Sequence, residues 1–209
     1  MSTILTTRGY HIIKDHYEED DIEDLKKECI VTPYTAFDTL QAPPSFKVYK
    51  NGKTQLVLPR HFGYETLGKP DIDKIKEFNP QEIDLKFSGS LRTEQQGIVD
   101  KYLEHKETGG GIVSIPCGGG KTVIALGIIA QLKVKCVVVV HKEFLVNQWK
   151  ERIHQFLPDA KIGHIQAGTV ITKDCDIIIG MLQSLSMKDY PAETFADVGL
   201  AVYDECHHL

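Results

Sequence analysis

Residues 111–132 read GIVSIPCGGGKTVIALGIIAQL, and this stretch decides the fold. A short apolar run, 111–115, reads as the first strand and leads through three glycines to a lysine, a threonine and an apolar segment long enough for a helix, 122–132. Glycine tolerates the tight curl that turns successive backbone N–H groups inward on an anion. A helix starting there adds unpaired N–H groups and the positive end of its dipole. Lys121 can reach the β- and γ-phosphates of a nucleotide, and the Thr122 hydroxyl can ligate Mg²⁺. Pro116, Cys117, Gly118, Gly119, Gly120, Lys121 and Thr122 are therefore candidate nucleotide-binding residues. The strict G-x-x-x-x-G-K-[ST] spacing fails at its first position, where Ile115 stands.

Downstream the pattern alternates. CVVVVH (136–141), KIGHI (161–165), CDIIIG (175–180) and VGLAVYDE (198–205) read as strands. Between the first two lies EFLVNQWKERIHQFL (143–157), where Phe144, Leu145, Gln148-Trp149, Ile153 and Phe156 recur at helical spacing. Continuous β-branched runs alternating with helices predict an α/β fold, a parallel sheet covered on both faces. Such sheets bind ligands at the carboxyl ends of their strands. The last strand runs into Asp204-Glu205-Cys206-His207-His208. Adjacent carboxylates behind a buried strand are costly unless they serve a cation or are well hydrogen-bonded. Asp204 is the candidate Mg²⁺ holder, and Glu205 the base that orients and deprotonates an attacking water. The two histidines have no His or Cys partner at ligand spacing, which makes a poor zinc site.

Upstream, residues 1–85 read as a separate small module and 86–209 as the nucleotide-binding domain. An acidic segment between Asp15 and Asp24 precedes a short helix over 20–29, with Ile22, Leu25 and Cys29 on one face. Two alternating runs flank Asn51-Gly52, which predicts a β-hairpin over 46–60 turning through those two residues in type I′ geometry. Lys47, Lys50, Lys53 and Arg60 make the hairpin basic, with Tyr49 and Phe62 nearby. Both an ordinary lysine-protected edge and a surface for a nucleic-acid backbone fit that pattern.

Composition sets the outer limits. The chain has 209 residues, 42% hydrophobic and 25% charged, an ordinary globular balance. No apolar run is long enough to span a bilayer, and the first residues do not resemble a signal peptide. A net charge of −5 means that nucleic-acid affinity must come from local patches. Five scattered cysteines without paired spacing argue against a disulfide framework and for a reducing, intracellular compartment.

PCGGGKT together with DECHH resembles motifs I and II of superfamily 2 helicases of the DExH subclass. Leu91-Arg92-Thr93-Glu94-Gln95 is similar to the L-R-x-x-Q element of the XPB- and UvsW-like group. His141–Trp149 (HKEFLVNQW) resembles motif Ia, and IGMLQSL (179–185) a later DNA-contacting motif of the same lobe. The V-T-P element (31–33) and LPRHFG (58–63) are similar to helicases of large eukaryotic DNA viruses. The resemblance implies a RecA-like first helicase lobe behind a small N-terminal module. It implies ATP and Mg²⁺ as cofactors, Gln95 with Arg92 as adenine readers, and a coupling role for His207. It implies nucleic-acid contacts from His141, Lys142, Gln148, Gln183 and Ser184, joined by Lys50 and Lys53 of the hairpin, with DNA favoured over RNA. A superfamily 2 helicase also has a second RecA-like lobe carrying an arginine finger, so the expectation is the N-terminal part of a longer protein, poorly active alone.

Two other functions fit parts of the pattern. One is a non-catalytic nucleic-acid-binding module working through the 46–63 hairpin, its nucleotide site vestigial or regulatory. The other is a P-loop kinase or unrelated NTPase, which needs a phosphoacceptor pocket and leaves HKEFLVNQW as an accident.

Overall fold

A computed structural model describes residues 1–33 and 43–206, in two compact units, Met1–Phe78 and Asn79–Leu209. The candidate coupling residue His207 lies outside the described residues.

The N-terminal unit contains β1 (Thr3–Thr6), β2 (Gly9–Ile13), α1 (Glu19–Glu28), β3 (Ile30–Val31), β4 (Phe46–Lys47), β5 (Lys50–Asn51), β6 (Gln55–Leu58), α2 (Arg60–Leu67) and β7 (Ile72–Asp73). Its main sheet has the order β5-β6-β2-β1-β7, antiparallel except for the β1–β7 pair. Burial alternates along β1, β2 and β6, so one face of the sheet packs and the other does not. That face presents Leu5, Tyr10, Ile12, Leu56 and Leu58 to Ile22 and Leu25 of α1 and to Cys29. Gly63 lets α2 close on β2, because a Cβ there would fall into the Tyr10 side chain.

The expected hairpin forms with a different turn. Lys50 pairs with Val57 and Asn51 with Leu56, and the Gly52 N–H donates to the Gln55 carbonyl at 2.9 Å. Lys53 and Thr54 are therefore the central turn residues, and neither Asn51 nor Gly52 has positive φ. Register explains the slip: pairing of β6 with β2 seats Leu56 and Leu58 in the core, and that burial outweighs the local turn preference. The first hairpin strand also breaks. Phe46–Lys47 pairs with β3 in a separate two-stranded sheet, while Lys50–Asn51 joins the main one.

The second unit contains α3 (Thr93–Glu104), α4 (Lys121–Leu132), β8 (Cys136–Val140), α5 (Glu143–Phe156), β9 (Ile162–Gln166), β10 (Thr169–Ile171), β11 (Ile177–Met181), α6 (Leu182–Met187) and β12 (Leu200–Tyr203). Its sheet order is β10-β9-β11-β8-β12, with β9, β11, β8 and β12 parallel and β10 antiparallel at one edge. All five residues of β8 are buried. Val138 and Val140 pack with Leu126 and Ile129 of α4 and Leu145, Trp149 and Ile153 of α5. Val137 and Val139 pack with Ile165 and Ile178, against Leu182, Leu185, Tyr190 and Phe195. The unit is thus an α/β domain, its largely parallel sheet flanked by helices.

Three details depart from the sequence reading. The run 111–115, expected as the first strand, forms no strand and pairs with none among the described residues, and Ile112 is 85% exposed. Val113 and Ile115 pack on the α3–α4 cluster of Val99, Ile124 and Ile128, so the apolar run is satisfied by helices. β12 pairs only with β8 among the described residues, so it is a half-exposed edge and not a buried strand. Phe144 points away from the buried stripe of α5, 61% exposed.

Residues 79–85, read from sequence with the N-terminal module, pack in the second unit. Ile83 and Leu85 enter its core, and backbone bonds join Gln81 to Lys135 and Ile83 to Lys133. Lys135 is 1% exposed. Its ammonium donates to Asp197 Oδ2 at 2.7 Å and to the Thr172 carbonyl at 2.7 Å, with Gln81 Oε1 at 3.5 Å. A buried ammonium is tolerable only with such partners.

Candidate nucleotide site

The loop between Ile115 and α4 curls as its glycines require. Gly118 has φ 79° and Gly120 φ 88°, a left-handed backbone that glycine enters without penalty. The Gly119 N–H donates to the Pro116 carbonyl at 3.1 Å, and the Ile124 N–H to that of Gly120 at 3.0 Å as α4 begins. Lys121 and Thr122 open the helix, both half-buried. Cys117 is an exposed thiol in the loop.

Arg92 and Gln95 clamp this loop from α3. The Arg92 guanidinium donates to the Gly119 carbonyl at 2.8 Å, and the Gln95 amide donates to the same oxygen at 3.0 Å. The Gln95 Oε1 accepts the Arg92 backbone N–H at 3.0 Å, and Gln95 is 6% exposed. A side chain at Gly120 would collide with the Gln95 amide, which makes this glycine part of the clamp. The two residues expected to read adenine are here engaged with the phosphate loop.

The acidic pair approaches the loop from β12. The Asp204 N–H donates to the Val139 carbonyl at 3.0 Å, continuing the pairing with β8. Glu205 has φ 52°, a left-handed backbone uncommon for a non-glycine residue, and this turn ends the strand. The two acids engage different helices. The Trp149 indole of α5 donates to Asp204 Oδ2 at 2.8 Å. The Lys121 ammonium of α4 lies 3.1 Å from Glu205 Oε1. Glu205 holds the Lys121 ammonium above its ordinary pKa, chiefly by accepting its hydrogen bond.

Lys121, Asp204, Glu205 and the exposed Cys206 line one cleft of about 610 Å³. Its other walls are Gly111–Ile115, Ile124 and Ile128 of α4, Trp149, and Leu200–Tyr203. Pro116–Gly120, Thr122, Arg92 and Gln95 are not among its lining, so the loop and the cleft meet only at Lys121. Among the described residues no cluster of three His, Cys, Asp or Glu could hold a metal by itself. An Mg²⁺ ion that completes its shell with phosphates and water takes only one or two protein oxygens and needs no such cluster, and Thr122 and Asp204 are the candidates for those oxygens.

The candidate nucleic-acid residues fall at strand ends. His141 and Lys142 follow β8, and Gln183 and Ser184 follow β11; β8 lies between β11 and β12, and all three run parallel. Lys142 and Gln148 are exposed. The Gln183 amide donates to the His141 carbonyl at 2.9 Å, and Ser184 Oγ accepts the Ala167 N–H at 2.9 Å. In the N-terminal unit Lys50 and Lys53 are exposed, but Tyr49 and Phe62 pack against its core.

Sequence reasoning placed Trp149 in the core and missed its hydrogen bond to Asp204. The available signal was the donor-only indole within an otherwise apolar stripe. Lys135 was also missed, although a lysine flush against CVVVV needs a partner.

Three comparisons bear on this site. Residues 88–209 match the family model described as "Type III restriction enzyme, res subunit". A protein of Acanthamoeba polyphaga mimivirus, provisionally named an ATP-dependent RNA helicase, is 33% identical over 215 residues, covering 100% of this chain and 41% of that protein. The DNA 3'-5' translocase XPB2 of Sulfurisphaera tokodaii is 33% identical over 161 residues, 71% of this chain and 33% of that protein. Among solved structures, the Sulfolobus solfataricus SWI2/SNF2 ATPase core in complex with dsDNA aligns with a TM-score of 0.44 and 15% identity, over 59% of this chain and 33% of that one. The chain thus spans less than half the length of these curated relatives. It belongs to the res-subunit family of helicase domains, among superfamily 2 relatives.

Proposed function

We propose that this family member is the first lobe, with its N-terminal module over Met1–Phe78, of an ATP-dependent helicase or translocase that acts on nucleic acid, DNA in preference to RNA. The observation that carries the reading is the convergence of Lys121 with Glu205 and Asp204 at the mouth of one cleft, beside a glycine loop capped by a helix. Names of the relatives divide between RNA helicase and DNA translocase, and both are ATP-dependent or translocating functions.

The chemistry follows from the present pairing. Lys121 is paired with Glu205. Triphosphate oxygens seated on the loop N–H groups offer Lys121 a denser negative charge, and the ammonium changes partner. Glu205 is the group placed to accept a proton from the water that attacks the γ-phosphorus. Thr122 and Asp204 would hold Mg²⁺, which would supply neutralisation of phosphate charge. Arg92 and Gln95 keep the loop in its anion-binding curl through the Gly119 carbonyl. An arginine finger, where a second lobe supplies one, adds roughly 10³–10⁵ in rate in related phosphoryl transfer.

Lys121→Ala tests the site. In the complete protein, nucleic-acid-stimulated ATP hydrolysis falls by about 10²–10³-fold, as for loss of one preorganised donor, while the fold is retained. Stimulated hydrolysis that survives the substitution removes the assignment. A second measurement uses the exposed thiols of Cys117 and Cys206, which flank the proposed phosphates. Saturating Mg-ATP slows their alkylation, whereas rates unchanged by Mg-ATP contradict a shared ligand.

A further inference from the structure

Trp149 is the chain's only tryptophan, and it is 2% exposed. Its indole reaches across 55 positions of sequence to donate to Asp204 Oδ2 at 2.8 Å. A buried indole N–H must find an acceptor, but an ordinary carbonyl would satisfy it. Here the acceptor is the carboxylate that the proposed function assigns to the metal. The terminal torsion of an aspartate is soft, so an untethered carboxylate samples many orientations. The Asp204 backbone is already held by its N–H bond to Val139, and the indole restrains the two side-chain torsions through Oδ2. With one lone pair of Oδ2 engaged by the indole, Oδ1 keeps both of its lone pairs for the metal side.

We propose, resting on the reading of Asp204 as the metal-side acid, that Trp149 is a positioning residue. It orients the Asp204 carboxylate for Mg²⁺, and through α5 it ties that carboxylate to the helix bearing the exposed Gln148. Packing alone would need the ring but not its N–H. The distinction is between the volume of Trp149, which fills the core beside Leu145 and Ile153, and its donor, which serves the site.

The test is binding of a fluorescent ribose-labelled ATP to the 209-residue chain, with the dye excited directly, over a series of free Mg²⁺ concentrations and in EDTA. Four proteins are compared: wild type, Asp204→Ala, Trp149→Phe, and a protein with benzothienylalanine at position 149, which keeps the ring volume and replaces the N–H with sulfur. Loss of an outer-shell partner of a metal ligand costs about 10–100-fold in metal affinity. The half-saturating Mg²⁺ concentration therefore rises by about that factor in both position-149 variants, with affinity in EDTA unchanged. If the sulfur isostere keeps the wild-type Mg²⁺ dependence while Asp204→Ala shifts it, Trp149 only packs and the proposal is overturned. If Asp204→Ala leaves the dependence in place, the metal reading of Asp204 fails first and takes the proposal with it. A metal-free readout stands beside these. The ¹⁵N–¹H resonance of the single indole moves upfield in Asp204→Ala, and a resonance that stays where it was denies the hydrogen bond.

Discussion

The two sheets of this chain bury their side chains by different rules. In the N-terminal unit, β1, β2 and β6 alternate between packed and half-exposed residues. In the second unit, β8 is buried at every position and β11 at four of five. An antiparallel sheet packed on one side can be built from local pairings. A parallel sheet needs crossover helices, and these cover both faces. The contrast also locates the chemistry. Parallel strands bring the residues after β8, β11 and β12 to one edge, where phosphate loop and acids can meet, and the antiparallel sheet has no such common edge.

Lysine substitution along one strand of each sheet is the strongest way to break this comparison. Val137→Lys and Val138→Lys each cost more than about 4 kcal/mol, because both faces of β8 lack water. Leu56→Lys in β6 is equally damaging, whereas Val57→Lys costs under about 1 kcal/mol. Urea midpoints for each unit read the result, and a tolerated lysine at Val137 would make the parallel sheet one-sided.

A smaller effect concerns the buried ammonium of Lys135. Asp197 is 43% exposed and Lys135 only 1%. Asp197→Ala strands a buried positive charge on the Thr172 carbonyl and costs about 2–4 kcal/mol, somewhat less than removal of the only partner. Lys135→Met leaves a carboxylate that water can reach and costs within about 1 kcal/mol. Equilibrium unfolding of the two variants distinguishes them, and the reverse order would mean that the pair is a net stabiliser.

The smallest effect sharpens the view of the hairpin. Asn51→Ala changes stability by no more than about 0.5 kcal/mol, since Asn51 is a strand residue without positive φ. A type I′ turn at Asn51-Gly52 would make the same substitution plainly costly, and a thermal melt of the variant tells the two apart.

These contrasts explain what was legible in the sequence. The loop 116–122, helices α4 and α5 and strands β8, β9 and β11 follow from local pattern, because glycine curl and burial period are written in neighbouring residues. The acids 204–205 were legible as a strand end. What escaped depends on partners far along the chain. Whether 111–115 pairs depends on a neighbouring strand, and the hairpin turn was set by the β6–β2 register. The indole bond to Asp204 and the burial of Lys135 join segments 55 and 62 positions apart. Gln95 was recognisable as important, yet its engagement with the Gly119 carbonyl required the fold.

The enclosure of Lys135 has a chemical corollary. An amine enclosed by the Asp197 carboxylate, the Thr172 carbonyl and Gln81 lacks the access that acylating reagents require. Under mild acylation, mass spectrometry of the native chain would find this amine unmodified while surface lysines react. Its delayed reaction would then clock the cooperative opening of the second unit at a single atom.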